Sequence, residues 1–218
     1  NSEYLSIADN AALSTGDIDF TIAAWVYADS LVSGDKTVYA RWNNPDNQRE
    51  VFLDLDSAST PAWLLRFRVS SDGTAASSLS ATTFGALSTA TWYFVVVWHD
   101  ATANTLNIQV NDGTVDSASY ASGVFDSTSS TGLGAIVRAT PGIFWDGRID
   151  ETGFWKKVLS TTERTDLYNG GSGNTYTAAG TCPTRRMLIS QGLVVGCGKP
   201  PRGGQGSIGR ALAACGAS

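Results

Sequence analysis

Residues 92–98, Trp-Tyr-Phe-Val-Val-Val-Trp, constrain the fold of this chain more than any other segment. Aromatic and β-branched residues favour a strand, and both faces of this one are apolar. Such a strand is stable only when other layers cover both faces. The next apolar segment, residues 106–111, precedes an Asp112-Gly113 turn, so we expect these two strands to pair as neighbours. The sequence therefore predicts a central strand within a layered protein.

Further strands are predicted wherever apolar and polar residues alternate. In residues 20–27 one face carries Phe20, Ile22, Ala24 and Val26, and the other carries Ala23, Trp25 and Tyr27. Other strands are predicted at residues 3–9, 36–42, 49–55, 63–70, 134–138 and 147–155, with turns rich in Gly, Pro, Asn and Asp between them. Charged residues make up only 16% of the chain, which also favours short strands and an all-β fold.

One short helix is predicted near residues 161–169. Ser160 and Glu163 have the spacing of a capping box, in which each side chain bonds the other residue's backbone amide. Leu159 precedes the cap and can pack back on the helix, and Gly170-Gly171 is a typical C-terminal stop. We therefore expect the helix to end the β body.

Charge divides the chain near residue 171. Residues 1–171 hold all 20 acids and 10 of the 15 Lys and Arg, whereas residues 172–218 hold five bases and no acid. We predict an acidic β body followed by a basic, Gly- and Ala-rich, irregular tail that docks on the body or on a neighbouring subunit. The tail contains Cys182, Cys197 and Cys215, so one intrachain disulfide with a third thiol left over and pairing with another chain are both open.

Several classes of partner and chemistry are disfavoured. An acidic body argues against nucleic acid, because phosphate binding needs clustered Lys and Arg. No segment has the apolar length of a membrane span, and no basic-then-apolar leader follows Asn1. His99 is the only histidine, which disfavours a histidine metal cluster or a Ser-His-Asp triad, and the cysteine spacings match no metal-thiolate motif.

Three segments resemble laminin-G-like, concanavalin A-like jelly-roll domains. Residues 144–155, Phe-Trp-Asp-Gly-Arg-Ile-Asp-Glu-Thr-Gly-Phe-Trp, followed by Val158-Leu159-Ser160 and Leu167-Tyr168-Asn169-Gly170-Gly171, resemble the closing strand and capped helix of that family. Residues 19–26 resemble its second strand, and residues 91–97 with Asn111-Asp112-Gly113 resemble its central hairpin. The matches cover residues 3–171 in the family's order and leave the tail outside. One departure is Phe94, where the family often has His.

The resemblance implies a two-sheet antiparallel jelly-roll β-sandwich with one curved sheet and loops at one rim. Members of the family commonly bind glycans, proteins or a structural calcium ion. In this chain Asp150 of the closing strand would bind the calcium, with oxygens from Asp9 or Asp17. The alternative is that Asp150 caps a turn or pairs with a base.

A glycan site is predicted from the seven tryptophans, because pyranose rings stack on indole faces. Trp25, Trp92 and Trp155 coincide with family core positions, so we expect them to pack in the core. Trp42 and Trp63 border polar loops instead. The predicted ligand-binding residues are therefore Arg41, Trp42, Asn44 and Trp63.

Catalysis is disfavoured by the pattern of carboxylates. Glu50, Asp54 and Asp56 share one strand face by period-two spacing, but they lack the paired-acid pattern of the related glycosidases. We expect a non-catalytic recognition module, extracellular or displayed on a cell or virion surface, that binds a glycan or a protein partner. The alternatives are a structural subunit of a viral or surface assembly, such as a capsid decoration, tail or surface layer, with residues 172–218 as an arm between subunits, and a glycoside hydrolase.

Overall fold

The structure, a computed structural model, describes residues 3–174, 186–190 and 193–195. Its regular secondary structure is mostly β-strand. The strands are β1 (Leu5–Ile7), β2 (Phe20–Ala28), β3 (Lys36–Asn43), β4 (Gln48–Asp56), β5 (Leu64–Val69), β6 (Ser77–Ser80), β7 (Trp92–Asp100), β8 (Thr105–Val110), β9 (Asp116–Ser119), β10 (Thr131–Leu133), β11 (Gly147–Trp155), β12 (Arg186–Ser190) and β13 (Leu193–Val195). A helix, α1 (Thr161–Tyr168), runs into a 3-10 turn at Asn169–Gly171.

The strands form two antiparallel sheets, which confirms the predicted β-sandwich. The first sheet has six strands in the order β1-β10-β3-β4-β5-β6. The second has seven in the order β13-β12-β11-β2-β7-β8-β9. Strands that are neighbours in a sheet are often distant in the sequence, as with β2 between β11 and β7, and this crossing between layers is the jelly-roll pattern.

The main hydrophobic core lies between the two sheets. Alternate residues of β2 and β7 point into it, as their sequences predict, and face alternate residues of β4 and β5. The contributors from these four strands are Phe20, Ile22, Ala24, Val26, Tyr93, Val95, Val97, Val51, Leu53, Leu55, Leu65, Phe67 and Val69.

A second apolar cluster covers the outer face of the seven-stranded sheet. It contains Trp25, Phe94, Trp98, Trp155 and Leu159, and the side chains of α1 pack over it. The Arg164 guanidinium lies 4.4 Å from the Trp98 ring centroid, a cation–π contact. Both faces of β7 are therefore covered, one by the opposite sheet and the other by the helix.

The local sequence explains where α1 begins and ends. The Glu163 amide donates to Ser160 Oγ at 3.3 Å, and the Ser160 amide donates to Glu163 Oε2 at 2.9 Å, so the predicted capping box is present. At the other end Asn169 adopts a left-handed conformation with φ 46°. The two glycines that follow also have positive φ, which glycine adopts without steric cost.

Some predicted strands are placed differently in the structure. The prediction of a strand at residues 134–138 is wrong, because the strand is β10 and only an isolated bridge joins Ile136 to Gly142. The sequence analysis also missed β6 and β9, two serine-containing strands at the sheet edges. Edge strands pair on one side only, so they do not need the apolar alternation that marks a buried strand.

Part of the predicted tail extends the seven-stranded sheet. β12 pairs antiparallel with β11 of the same chain, from Thr152↔Ile189 to Trp155↔Arg186, and β13 pairs with β12. Three cysteines of the tail, Cys182, Cys197 and Cys215, lie outside the described residues. So do most of the tail's basic residues. Contact of the tail with a neighbouring subunit stays a prediction. In the described part of the chain, no helix combines the length and apolarity needed to cross a membrane.

The capping box gives a stability prediction. Ser160→Ala removes the hydroxyl that accepts from the Glu163 amide, and we expect it to lower the free energy of unfolding by about 1 kcal/mol. Urea unfolding followed by tryptophan fluorescence measures this change. Ser160→Thr keeps a capping hydroxyl and should recover most of the loss. An Ala variant as stable as the unmodified protein would contradict the role of the cap.

Candidate functional site

Arg41, predicted to bind a ligand, lies inside the protein. Its side chain is fully buried, with Glu50 Oε2 and Asp9 Oδ1 each 2.9 Å from its guanidinium. It also donates to Thr131 Oγ1 at 3.2 Å and to the Ser127 carbonyl at 2.9 Å. Burial alone would lower the pKa of Arg41, but Glu50 and Asp9 raise it. The predicted ligand contact is therefore replaced by an internal ion pair.

A bulge in β4 places Glu50 beside Arg41. The β3–β4 register shifts between Arg41 and Trp42, so that β4 has one extra residue at this point. Glu50 therefore pairs with Arg41 in the interior, whereas Asp54 and Asp56 pair with Arg66 on the outer face. Period-two spacing predicted that all three share one face. That prediction is wrong, because an inserted residue breaks the alternation of side chains.

Glu50 is fully engaged in hydrogen bonds within the interior. Its Oε1 accepts from the amide and hydroxyl of Thr15 at 2.8 and 2.9 Å. Its Oε2 accepts from the amide and hydroxyl of Ser127 at 3.0 and 2.7 Å, in addition to Arg41. The Arg41–Glu50 pair therefore joins three strands, β3, β4 and β10, to the loops that hold Asp9, Thr15 and Ser127, and its role is structural.

The other three predicted ligand residues do not form one surface. Trp42 is only 3% exposed, because its ring packs on Phe52 and under the Arg68 guanidinium. Asn44 is exposed in the turn after β3. Trp63 is half-buried against the main core. Glycan binding at Asn44 and Trp63 stays a prediction, without the stacking partner that Trp42 was expected to supply.

An ionic network lies beside Trp42 on the outer face of the six-stranded sheet. The Arg66 guanidinium is 2.6 Å from Asp54, 2.7 Å from Asp56 and 2.8 Å from Asp35. Arg68 also pairs with Asp54. Two arginines thus hold three carboxylates in fixed positions, so this cluster stabilises the sheet.

The predicted calcium ligands do not meet in the structure. Asp9 pairs with Arg41, and Asp17 lies against Gly123 in a different loop. Asp150 is on β11, where its Oδ1 accepts from the Glu151 amide at 2.8 Å. Across the described residues, no three or more His, Cys, Asp or Glu side chains are grouped so that they could hold a metal ion. Calcium binding stays a prediction, and this ligand set does not support it.

An aromatic row, defined here as Tyr27 and Trp92, lies on the outer face of the seven-stranded sheet. The two residues are cross-strand neighbours on β2 and β7, with ring centroids 5.3 Å apart. Trp92 is 37% exposed. On the other side of Tyr27, the Arg148 guanidinium stacks 4.6 Å from its ring and lies 3.7 Å from Asp29.

The neighbouring row explains why Tyr27 and Trp92 are accessible. Two residues along the strands, Asp150, Trp25 and Phe94 are paired across β11, β2 and β7. Tyr168, the last residue of α1, stacks on Trp25 with ring centroids 5.9 Å apart and planes inclined by 13°. The helix ends at this point. The aromatic row therefore lies just beyond the part of the sheet that α1 covers.

A cleft of about 250 Å³ opens where the helix ends, and we call it the Trp25–Trp92 cleft. Its lining residues are Trp25, Trp92, Asp150, Glu151, Gly171, Ser172 and Gly173. Trp25 is 93% buried, since its exposed fraction is 7%, and its indole Nε1 has no hydrogen-bond partner within the described structure. Leaving a buried donor unpaired costs about 1–3 kcal/mol.

A second bulge brings two carboxylates to this cleft. The β11–β2 register shifts between Asp150 and Gly153, and Glu151 adopts a left-handed φ of 45°, which is unusual for a side-chain-bearing residue. Gly173, at φ 68°, closes the far side. A methyl group on Gly173 would lie 3.2 Å from Trp25 Nε1 and 3.3 Å from Glu151 Oε2, so Gly173 packs closely against both atoms and a side chain there would crowd them.

The sequence analysis missed most of this site. Trp92 was predicted to pack in the core, and this is wrong because α1 stops before it reaches that row. Trp25 and Trp155 are buried as predicted. The sequence offered one signal for Trp92, its position as the first residue of a strand, whereas Tyr27 and Glu151 had none.

Comparison with known families agrees with this architecture. Residues 1–163 match the laminin G model of the concanavalin A-like lectin/glucanases superfamily. The chain belongs to this family. The match includes both sheets of the body and the first residues of α1. No curated protein is significantly similar to this concanavalin A-like domain in sequence.

Solved structures share the fold at low sequence identity. A candidate carbohydrate-binding protein from Bacteroides ovatus is 17% identical with a TM-score of 0.59, over 88% of this chain and 52% of its own. Domain 4 of the extracellular arabinanase AbnA from Geobacillus stearothermophilus, solved with arabinotriose, is 19% identical with a TM-score of 0.53, over 75% of this chain and 71% of that one. The binding domain of botulinum neurotoxin serotype D is 14% identical with a TM-score of 0.56, over 78% and 41%. The concanavalin A-like domain thus spans about half of the Bacteroides chain.

The buried Arg41–Glu50 ion pair gives a prediction about stability. Arg41→Met leaves the Glu50 carboxylate buried without its cation, so we expect the free energy of unfolding to fall by about 3–5 kcal/mol. Urea unfolding measures the loss, and Glu50→Gln serves if the Met variant does not fold. The double variant Arg41→Met/Glu50→Met should lose less than the Arg41→Met single variant. A fully stable Arg41→Met protein would show that the pair is dispensable.

The outer ionic network gives a pH prediction. Burial alone would raise the pKa of Asp35, but hydrogen bonds from Ser57 and the Arg66 guanidinium hold the pKa below its usual value. Such a group stabilises the fold above the unfolded-state pKa of about 3.9, and this contribution disappears as the pH falls through the lower folded-state pKa. We expect Asp35→Asn to be less stable at neutral pH and to lose less stability on acidification. Urea unfolding at neutral and acidic pH measures both, with Asp166→Asn on the exposed side of α1 as control.

Proposed function

We propose that this concanavalin A-like domain is a non-catalytic glycan-binding module of an extracellular or surface-displayed protein, and that the Trp25–Trp92 cleft is its binding site. The observation that carries the proposal is the combination of an exposed indole at the mouth of the cleft with two carboxylates lining it. This combination offers an apolar surface and hydrogen-bonding groups to the same ligand.

The chemistry of a sugar fits these groups. The C–H face of a sugar ring is apolar and packs on an aromatic side chain, and Trp92 has that surface beside Tyr27. Sugar hydroxyls donate hydrogen bonds, and the carboxylates of Asp150 and Glu151 can accept them. Because the cleft is small, we expect it to hold one or two sugar units of a longer chain.

A binding role is favoured over hydrolysis by the positions of the carboxylates. Glycosidases need two carboxyl groups on opposite sides of the scissile bond. Asp150 and Glu151, which both line the cleft, are consecutive residues of the same strand, β11. Glu50 and Asp54 are buried in ion pairs with arginines. Carboxylates in these positions are better placed to bind a ligand than to act as a general acid and base.

The comparisons support the proposal without deciding the ligand. The arabinanase domain was solved with arabinotriose, and the Bacteroides protein is a candidate carbohydrate binder, so the same fold carries glycan sites elsewhere. Since this domain spans about half of the Bacteroides chain, we propose that it serves as one module of a larger protein. Binding of a protein partner and a structural calcium ion are not needed for this role.

Glycan-array screening followed by calorimetry tests the proposed site. We expect the unmodified protein to bind at least one glycan, and Trp92→Ala to weaken that binding by about 10- to 100-fold because one stacked sugar ring loses its platform. Phe84→Ala is the matched control, since Phe84 is 38% exposed and packs on Tyr93 away from the cleft. It should bind normally.

Two outcomes would contradict the proposal in different ways. If no glycan on a broad array binds the folded protein, the function is wrong. If a glycan binds and Trp92→Ala binds it equally well, the function stands but the site is elsewhere.

A further inference from the structure

We propose that the glycan lies across the strands, from Trp92 over Tyr27 to Arg148, so that the site takes a linear, neutral chain of at least three sugar units. This inference rests on the proposed function, because it extends the same site beyond the Trp25–Trp92 cleft. It adds Arg148 as a further binding residue and names the class of glycan. The register of three strands, the contacts of Arg148 and the charge beside it support this arrangement.

The three side chains form one row because their strands pair in register. Arg148 is opposite Tyr27 across β11 and β2, and Tyr27 is opposite Trp92 across β2 and β7. Residues that are directly opposite on antiparallel strands point to the same face of the sheet. Trp92 is 37% exposed, and the side chain of Arg148 is 61% exposed. The row therefore crosses three strands and is open to solvent at both ends.

The direction of the row suits a linear glycan. Neighbouring strands lie about 4.8 Å apart, and one sugar unit has a similar length along a linear chain. A glycan laid across the strands therefore meets one side chain of the row with each successive unit. Along β7, by contrast, the next residue on this face is Phe94, which is buried against Tyr168 at the end of α1. The helix closes that direction.

Arg148 has hydrogen-bond donors to offer at the end of the row. Its guanidinium lies 4.6 Å from the Tyr27 ring centroid, and its ion pair with Asp29, at 3.7 Å, is longer than a hydrogen bond. A guanidinium has five N–H donors in a planar fork, which can donate to two neighbouring hydroxyls of one sugar. Stacking on Tyr27 restricts the plane of this fork before binding, so less conformational entropy is lost when a sugar binds.

The charge beside the row favours a neutral sugar over an acidic one. Asp29 lies next to Arg148 and offsets its positive charge. A carboxylate or sulfate group on a sugar is attracted by an excess of positive charge, which this single paired arginine does not supply. Hydroxyl oxygens accept from a guanidinium without such an excess. We therefore expect the third sugar unit to be recognised through its hydroxyls.

Calorimetry with oligosaccharides of increasing length tests the inference. The probes are neutral linear oligomers of one to five units, built from glucose, mannose, xylose or arabinose. For at least one of these sugars we expect the affinity to rise about 10-fold from two to three units, because the third unit reaches Arg148. Arg148→Ala should remove this rise and leave the binding of the two-unit oligomer unchanged, which also shows that the variant is folded.

Two further variants serve as controls. Arg148→Lys keeps the charge without the planar fork, so it should restore little of the rise. Arg138→Ala removes a guanidinium that donates to the Thr140 carbonyl at 3.2 Å in the loop after β10, and it should leave the rise intact.

The possible results separate this inference from the function on which it rests. If the oligomers bind through Trp92 but Arg148→Ala keeps the rise from two to three units, the cleft is a glycan site and the row is wrong. Full recovery in Arg148→Lys would contradict the role of the fork. If only uronic-acid or sulfated glycans bind, the class of glycan is wrong. If no glycan of any class binds the folded protein, the proposed function fails, and this inference fails with it.

Discussion

The structure depends on one constraint, which is that β2 and β7 are apolar on both faces and must be covered on both. The six-stranded sheet covers the inner face and encloses the main core. On the outer face α1 covers Trp25, Phe94 and Trp98, but the helix is only eight residues long and ends at Tyr168. The aromatic row of Tyr27 and Trp92 lies just beyond its end. The candidate site is thus the part of an apolar sheet face that the short helix leaves accessible.

Two β-bulges determine what the carboxylates can do. In β4 an extra residue turns Glu50 toward Arg41 in the interior, where the ion pair holds loops against the sheet. In β11 an extra residue brings Glu151 beside Asp150 at the surface cleft. The same local irregularity gives a structural group in one sheet and a candidate recognition group in the other. What differs is burial, since Glu50 is enclosed by Thr15, Ser127 and Arg41.

Membership of the concanavalin A-like superfamily fixes the architecture and leaves the ligand open, because this fold carries different sites in different proteins. The ionic network of Arg66 with Asp35, Asp54 and Asp56 lies on the outer face of the six-stranded sheet. Its carboxylates and guanidinium groups are paired with one another. On the opposite layer, an exposed indole, a buried unpaired N–H and two adjacent acids meet within one cleft. The exposed indole of Trp92 beside these two acids is the physical basis for placing recognition there.

The sequence by itself determined the all-β class, the central strands and the capped helix, because each follows from local periodicity or from a short motif such as Ser160 to Glu163. The jelly-roll arrangement was predicted from the resemblance to the family. It also predicted the burial of Trp25 and Trp155. Only the tertiary structure decided that Arg41 and Trp42 are buried and that Trp92 is exposed. A bulge shifts every later side chain to the other face, and the length of a covering helix decides which residues of a sheet remain exposed. Neither effect is encoded in the spacing of nearby residues, so the candidate site emerged only from the packing of β11, β2, β7 and α1.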